Sequence, residues 1–278
     1  MLVDAHHHVW DPDGHAWLDN FPAIRRRFDL DEFAAVSAGV GASVLVQVLA
    51  STAETEDFLA LAQGRVAGVV GVVGWADLTS PAIADELARI RELPGGDRLV
   101  GIRHLVQDEP DPGWLRGVRR GLRAVGAAGL RYDLLVRPAQ LPAAVEVTGE
   151  LAEVGFVLDH GGKPEIWSGE LEPWSGLIAE LASRPNVVCK FSGLVTEAGH
   201  EWTAERIAPY ADWLLRCFGS ERLMFGSDWP VCTLAASYAE VVALARDLLG
   251  AHLSATEMAD VFGGNATRFY GLVSQHGV

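Results

Sequence analysis

The chain has 278 residues, 49% of them hydrophobic and 21% charged, with 22 basic against 37 acidic side chains and a formal charge of −15. This is enough apolar material for a large core, and no stretch has the composition of a disordered chain. So acidic a surface is repelled by phosphate backbones and anionic lipid, which argues against nucleic acid and against a membrane as partner.

The first strand is expected at Leu2–His7, entered from Met1 with no basic region and no long apolar segment, so no signal peptide is expected. It ends in Asp4-Ala5-His6-His7-His8. Strand side chains alternate, so His6 and His8 share one face and His7 takes the other. Two imidazoles so placed can grip one ion or one water. A tag remnant fits less well, since tags are longer and do not sit inside a native-like strand; a pair of structural histidines is the other plain reading. A helix is expected at Asp31–Ala38, a strand at Ser43–Val48 and a helix at Thr52–Ala62. The longest apolar run, Val66 to Ala76, is glycine-rich and too short for the roughly 20 residues of a spanning helix. It reads as a buried strand, Val69–Ala76. A helix at Pro81–Leu93, a strand at Leu99–Val106 and a helix at Pro112–Ala128 follow, then a strand at Tyr132–Val136 and a helix at Pro138–Glu153. Pro81, Pro112 and Pro138 suit the first helical turn, where a missing N–H costs nothing.

The sixth strand, Phe156–His160, closes in Leu158-Asp159-His160-Gly161-Gly162-Lys163-Pro164. His160 is in phase with Phe156 and Leu158, and if those face the barrel interior, so does His160. A histidine at such a strand end reads as catalytic by position, with a satisfied core histidine as the bland alternative. Lys163, in a tight Gly/Pro turn, can reach substrate oxygens or face solvent. A helix at Glu170–Ser183, a strand at Val187–Phe191 and a helix at Ala204–Phe218 lead to the last strand, Leu223–Ser227. That strand runs into Met224-Phe225-Gly226-Ser227-Asp228-Trp229-Pro230. A buried aspartate there needs a cation, histidine or water partner, and His6 and His8 would supply it; a helix N-cap is the lesser reading. Helices at Ala236–Leu249 and Asn265–Leu272 complete the chain.

Eight strands interleaved with helices predict a parallel sheet closed into a (β/α)8 TIM barrel, one domain across residues 1–278. Strands buried on both faces account for the continuous apolar runs. An open doubly wound sheet would carry a glycine-rich turn after its first strand, where this chain has histidines. Cys189, Cys217 and Cys232 have no metal-site spacing, and so sparse and odd a set suits the reducing cytoplasm.

These motifs resemble the amidohydrolase superfamily, which carries an H-x-H on strand one and an aspartate on strand eight. The segments Asp4-Ala5-His6-His7-His8-Val9-Trp10, Gly101-Ile102-Arg103-His104, Tyr132-Asp133-Leu134-Leu135, Leu158-Asp159-His160, Lys190-Phe191-Ser192-Gly193-Leu194-Val195-Thr196-Glu197 and Phe225-Gly226-Ser227-Asp228-Trp229-Pro230 look like its sugar-lactonase branch. L-Fuconolactonases and L-rhamnonolactonases are the nearer likeness, 2-pyrone-4,6-dicarboxylate lactonases a more distant one. The resemblance implies a distorted barrel that hydrolyses a small cyclic ester, a sugar lactone such as L-fuconolactone or L-rhamnonolactone. Two-metal members have a bridging lysine or acid on strand four and a histidine on strand five. Here strand four offers Arg103 and His104 and strand five has no histidine, so one divalent ion is expected, Zn2+ first, held by His6, His8 and Asp228. Some members of the branch work without a metal.

On this reading Asp228 takes a proton from the attacking water and returns it to the departing ring oxygen, while His160 or the ion stabilises the oxyanion. The expected substrate binders are Arg103, His104, Lys163, Lys190 and Trp229. Strand alternation keeps Arg103 and His104 from both pointing inward, and Lys190, in mid-strand, needs polar partners. Trp10, Trp75, Trp202 and Trp229 could stack on a sugar ring or simply pack. The competing enzymatic reading is a metal-dependent decarboxylase or hydratase acting on a small aromatic-type acid; the non-enzymatic one is a metal- or sugar-binding protein. Assembly into a homo-oligomer is left open.

Overall fold

The computed structural model describes residues 1–64 and 68–272. Eight parallel strands follow one another in sheet order: β1 (Leu2–His7), β2 (Val40–Val46), β3 (Val69–Gly74), β4 (Leu99–His104), β5 (Arg131–Leu134), β6 (Phe156–Leu158), β7 (Val187–Phe191) and β8 (Leu223–Phe225). The sheet closes on itself just past β8. There the Asp228 N–H donates to His6 O at 2.8 Å and the His8 N–H to Trp229 O at 2.7 Å. The fold is the expected (β/α)8 barrel.

Both faces of the sheet are buried and carry apolar clusters, each packing against a different partner. Val3, Ala5, Val44, Val46, Val73, Val157, Val188 and Met224 form an inner cluster that Ala266, Tyr270 and Leu272 plug from the C-terminal end of the chain. Every strand contributes to it except β5. Leu45, Val72, Ile102, Tyr132, Phe156 and Leu158 belong to the outer cluster, packed with the helices. A strand buried on both sides has no polar face to show, hence the unbroken valine-rich runs.

Five helices start where a side chain caps them: Asp29, Ser51, Thr203, Ser237 and Ser254 each accept from a backbone N–H in the first turn. The expected helix Ala204–Phe218 has those bounds. The expected helix Pro112–Ala128 is instead two, Trp114–Gly117 and Arg119–Ala127, parted at Val118 beside a glycine, where helix propensity is weakest. Pro138 opens a 3-10 turn that leads into Leu141–Glu150. Short helices at Leu194–Ala198 and Ala255–Ala259 were not anticipated. Strands β2 to β6 and β8 each end two residues earlier than expected, because the chain leaves sheet geometry as it enters the mouth of the barrel, whereas β7 has the expected bounds. In the apolar run Val66–Ala76, the strand occupies Val69–Gly74; residues 66 and 67 lie outside the described residues. Among the described residues no helix is long and apolar enough to cross a membrane, and all three cysteines are unpaired.

The β1–β8 seam depends on Gly226, where an added Cβ would lie 2.6 Å from His6 Cβ. Gly226→Ala is expected to cost about 1–3 kcal/mol of stability. Urea unfolding measures this, and an unchanged midpoint would mean that the seam is free to spread.

Candidate active site

The pairing of β1 with β2 slips between Asp4 and His7. His7 is turned outward, stacked on Phe33 at 3.8 Å and bonded to Ser43 Oγ at 3.1 Å. His6 and His8 point into the barrel. The His8 Nδ1 lies 2.7 Å from Val46 O. A carbonyl can only accept, so Nδ1 carries a proton, and Nε2 faces the interior. That Nε2 lies 3.1 Å from His6 Nε2 and 3.4 Å from Asp228 Oδ1, and the third edge, His6 Nε2 to Asp228 Oδ1, is 3.7 Å.

His160 reaches the same place by a route the alternation rule does not describe. Phe156 and Leu158 pack outward, so the next residue directed inward is Asp159, and the expected phase for His160 is corrected. Beyond Leu158 the chain coils left-handed through His160 (φ 52°), Gly161 (φ 58°), Gly162 (φ 73°) and Lys163 (φ 50°). This carries the His160 ring over the mouth, with Nδ1 2.8 Å from Ser192 Oγ and Nε2 3.8 Å from Asp228 Oδ1. Asp228 is itself left-handed (φ 59°), and these three are the non-glycine residues with positive φ among the described residues. Gly193 makes room for the imidazole, since a Cβ there would sit 2.7 Å from His160 Nδ1.

Beneath the histidines lies a buried floor of charge. The Lys190 Nζ is fully enclosed, 2.5 Å from Asp133 Oδ2, 3.0 Å from Asp159 Oδ1 and 3.1 Å from His6 Nδ1. The Arg103 guanidinium lies 3.1 Å from Asp159 Oδ2 and 3.3 Å from His6 Nε2, and donates to Gln47 O. The Tyr270 hydroxyl reaches both oxygens of Asp133, at 2.9 and 2.8 Å. Asp133 and Asp159 were missed as site residues. Their signal was a carboxylate inside an apolar strand or at its end, together with a mid-strand lysine in need of an anion.

Three expected substrate binders are placed elsewhere. Lys190 is sealed under His6 and does not line the cleft. His104 points away from Arg103, bonded to Glu109 Oε1 at 2.7 Å and stacked on Trp114 at 4.2 Å. Trp229 is 2% exposed and packs against Phe28 and Phe33, because its flat apolar ring fills the space behind the seam. Trp75 donates to His104, and Trp202 to Ala235 O. Arg103 and Lys163 do face the cleft, a cavity of about 510 Å³ that His8, Trp10, His160 and Asp228 also line. The Lys163 Nζ is 3.5 Å from Glu197 Oε1.

Burial pushes His6 well below the ordinary imidazole range, helped by Lys190, and takes His160 down to about 4. Both are neutral at neutral pH. For Asp228, burial opposes ionisation but His160, His8 and Lys163 outweigh it, and the carboxyl lies below its usual range. In the floor, burial raises Asp133, whereas Lys190, His6 and Arg103 overcome burial and hold Asp159 far down. The Asp228 carboxylate thus stands ionised beside the neutral imidazoles of His6 and His160.

The donor set fits one ion. The three edges between His6 Nε2, His8 Nε2 and Asp228 Oδ1 average about 3.4 Å, the separation expected of tetrahedral ligands about 2.0–2.1 Å from one centre. Two nitrogens and a carboxylate oxygen suit a borderline cation.

A parallel barrel with such a carboxylate–imidazole cluster at the C-terminal mouth is the architecture of a hydrolytic enzyme that activates water. The chain belongs to the amidohydrolase family, whose sequence pattern matches residues 3–272. It is 38% identical over 279 residues to an L-fucono-1,5-lactonase of Burkholderia ambifaria, covering 96% of this chain and 94% of that protein. It is 37% identical to an L-fucono-1,5-lactonase of Burkholderia multivorans, over 98% and 96% of the two chains. A crystal structure of an amidohydrolase from Burkholderia multivorans with bound zinc superposes with a TM-score of 0.91 at 37% identity, covering 98% of this chain and all of that one.

Removing the Lys190 ammonium strands the Asp133 carboxylate in the barrel interior and leaves Asp159 with Arg103 as its cation. Lys190→Met should therefore lower the unfolding free energy by about 3–5 kcal/mol. Denaturant titration tests this, and a loss under about 1 kcal/mol would show that the floor is held by something other than its ion pairs.

Proposed function

We propose that this chain hydrolyses a sugar lactone of the kind its Burkholderia relatives are named for, with L-fucono-1,5-lactone the first substrate to test. The observation that carries the reading is the ionised Asp228 carboxylate, held at the barrel mouth within reach of His6, His8 and His160. The near-full-length likeness to the two lactonases supports it.

Asp228 accepts a proton from the water that attacks the lactone carbonyl. The carboxylate is a competent base because its neighbours keep it charged, and the closed floor fixes where it points. His160, neutral and tethered by Ser192, orients that water through Nε2. The Arg103 guanidinium, anchored on Asp159, faces the oxygen that gains charge as the carbonyl becomes tetrahedral. On collapse the proton returns from Asp228 to the ring oxygen, which leaves as a hydroxyl. Lys163 and Glu197, paired at the rim, hold the sugar. His6 Nε2, His8 Nε2 and Asp228 Oδ1 would hold a single divalent cation, with zinc favoured by the donor set and by the zinc-bound relative. When bound, such an ion supplies Lewis-acid polarisation of water and carbonyl.

One barrel domain carries this activity, and three unpaired cysteines suit a cytoplasmic setting. Nothing in the cleft calls for a macromolecular partner, and the substrate is a small molecule.

Asp228→Asn should keep the fold and lose about 10²–10⁴-fold in kcat on L-fucono-1,5-lactone, read with a pH indicator. Near-normal turnover would end the base assignment, and release of CO2 rather than one proton per turnover would favour a decarboxylase. Elemental analysis should find about one zinc per chain. His8→Ala should hold markedly less, and equal zinc in the two proteins would remove this histidine from the ligand set.

A further inference from the structure

We propose that Trp17, Gln107 and Thr196 read the ring hydroxyls of the substrate, which makes the cleft selective for a neutral, polyhydroxylated lactone. The inference rests on the lactonase reading and goes beyond it by assigning the residues that choose the ring.

Each of the three carries a buried polar atom with no hydrogen-bond partner among the described residues: Trp17 Nε1, Gln107 Oε1 and Thr196 Oγ1. Leaving such an atom unpaired is costly, and folded proteins keep few of them. All three line the cleft that holds Asp228 and His160. They arrive from three sides: Trp17 from the turn Ala16–Asn20 after β1, Gln107 from the turn Val106–Asp108 after β4, and Thr196 from the short helix Leu194–Ala198 after β7.

Local structure keeps these atoms unpaired. The Trp17 ring is wedged edge-on between Trp10 (5.3 Å) and Phe21 (5.9 Å), so its N–H is not free to seek another acceptor. A helical threonine commonly donates back to the carbonyl four residues earlier. Thr148 does so to Ala144 O at 2.8 Å and Thr267 to Gly263 O at 2.9 Å, whereas Thr196 makes no such bond. The Gln107 backbone is pinned by its own N–H to Leu135 O at 3.0 Å, which holds its Cα beside the cleft.

The chemistry of the set selects the ligand. The indole N–H only donates, the amide oxygen only accepts and the threonine hydroxyl does both. An alcohol donates and accepts, so ring hydroxyls satisfy all three. A second carboxylate would set its lone pairs against those of Gln107 Oε1, and a bare hydrocarbon ring would leave every atom unpaired. A site built to bond substrate hydroxyls discriminates strongly against an analogue without them.

The test compares kcat/KM on L-fucono-1,5-lactone with that on δ-valerolactone, whose ring has no hydroxyls. Wild type, Trp17→Phe, Gln107→Leu and Thr196→Val are measured in parallel, with Thr196→Ser as the conservative control. The ratio of the two values should fall about 5- to 100-fold in each of the three variants and return toward wild type in the serine control. Because it is a ratio, it does not depend on the fraction of folded enzyme. An unchanged ratio in all three variants overturns the inference while leaving the lactonase reading intact. If the wild type opens neither lactone, the lactonase reading fails instead. Calorimetric binding of a polyhydroxylated δ-lactam against plain δ-valerolactam then decides: wild-type preference that the variants lose upholds hydroxyl reading, and no preference ends it.

Discussion

Two cations lie in the interior of the barrel, and in so poorly solvated a place neither can exist without an anion. That requirement organises the structure. Lys190 on β7 must meet Asp133 on β5 and Asp159 after β6, and Arg103 on β4 must meet the same Asp159. Four neighbouring strands are thereby fixed in register across the axis as well as along the sheet. His6 stands on this platform, with Lys190 against one ring nitrogen and Arg103 near the other. The ring cannot turn without disturbing an ion pair, so the geometry at the mouth inherits the rigidity of the floor.

Above the floor the backbone does what side-chain packing alone could not. His160, Lys163 and Asp228 adopt conformations that L-residues visit rarely, and such outliers cluster where function requires a side chain to be re-aimed. The glycines between and opposite them, Gly161, Gly162 and Gly193, absorb the crowding that results. Asp228 is also tied by its own N–H to His6 O, so carboxylate and imidazole are positioned by one hydrogen bond across the seam. The cleft is thus built in two layers: strand ends hold the carboxylate and imidazoles, and the loops after β1, β4 and β7 bring unpaired polar groups to its lining.

Much of this was legible in the sequence. Alternating apolar runs and helical segments gave the barrel, and histidines and an aspartate at strand ends gave the mouth, because period and position are written in the chain. The phase of His160 was not, since the two-residue rule ends where the strand ends, and β6 stops at Leu158. Asp159, directly beside it, was passed over for the histidine although it is the inward residue. Lys190 announced a need for partners without naming them: its anions are 57 and 31 residues away, and only the barrel brings them together. Trp229 and His104 show the other limit. An aromatic or a histidine beside a site looks the same in sequence whether it faces the cleft or a neighbouring ring, as both do here.

The Tyr270 hydroxyl on Asp133 joins the far end of the described chain to the middle of the barrel, just as the seam joins β1 to the segment after β8. During synthesis β1 therefore leaves the ribosome with one edge unpaired until the segment after β8 has followed. Contacts of such long sequence separation form late and slowly. A partial chain exposes β1 and holds aspartates and a lysine with nowhere to settle. The cluster at the mouth therefore assembles only once β1 has met the segment after β8.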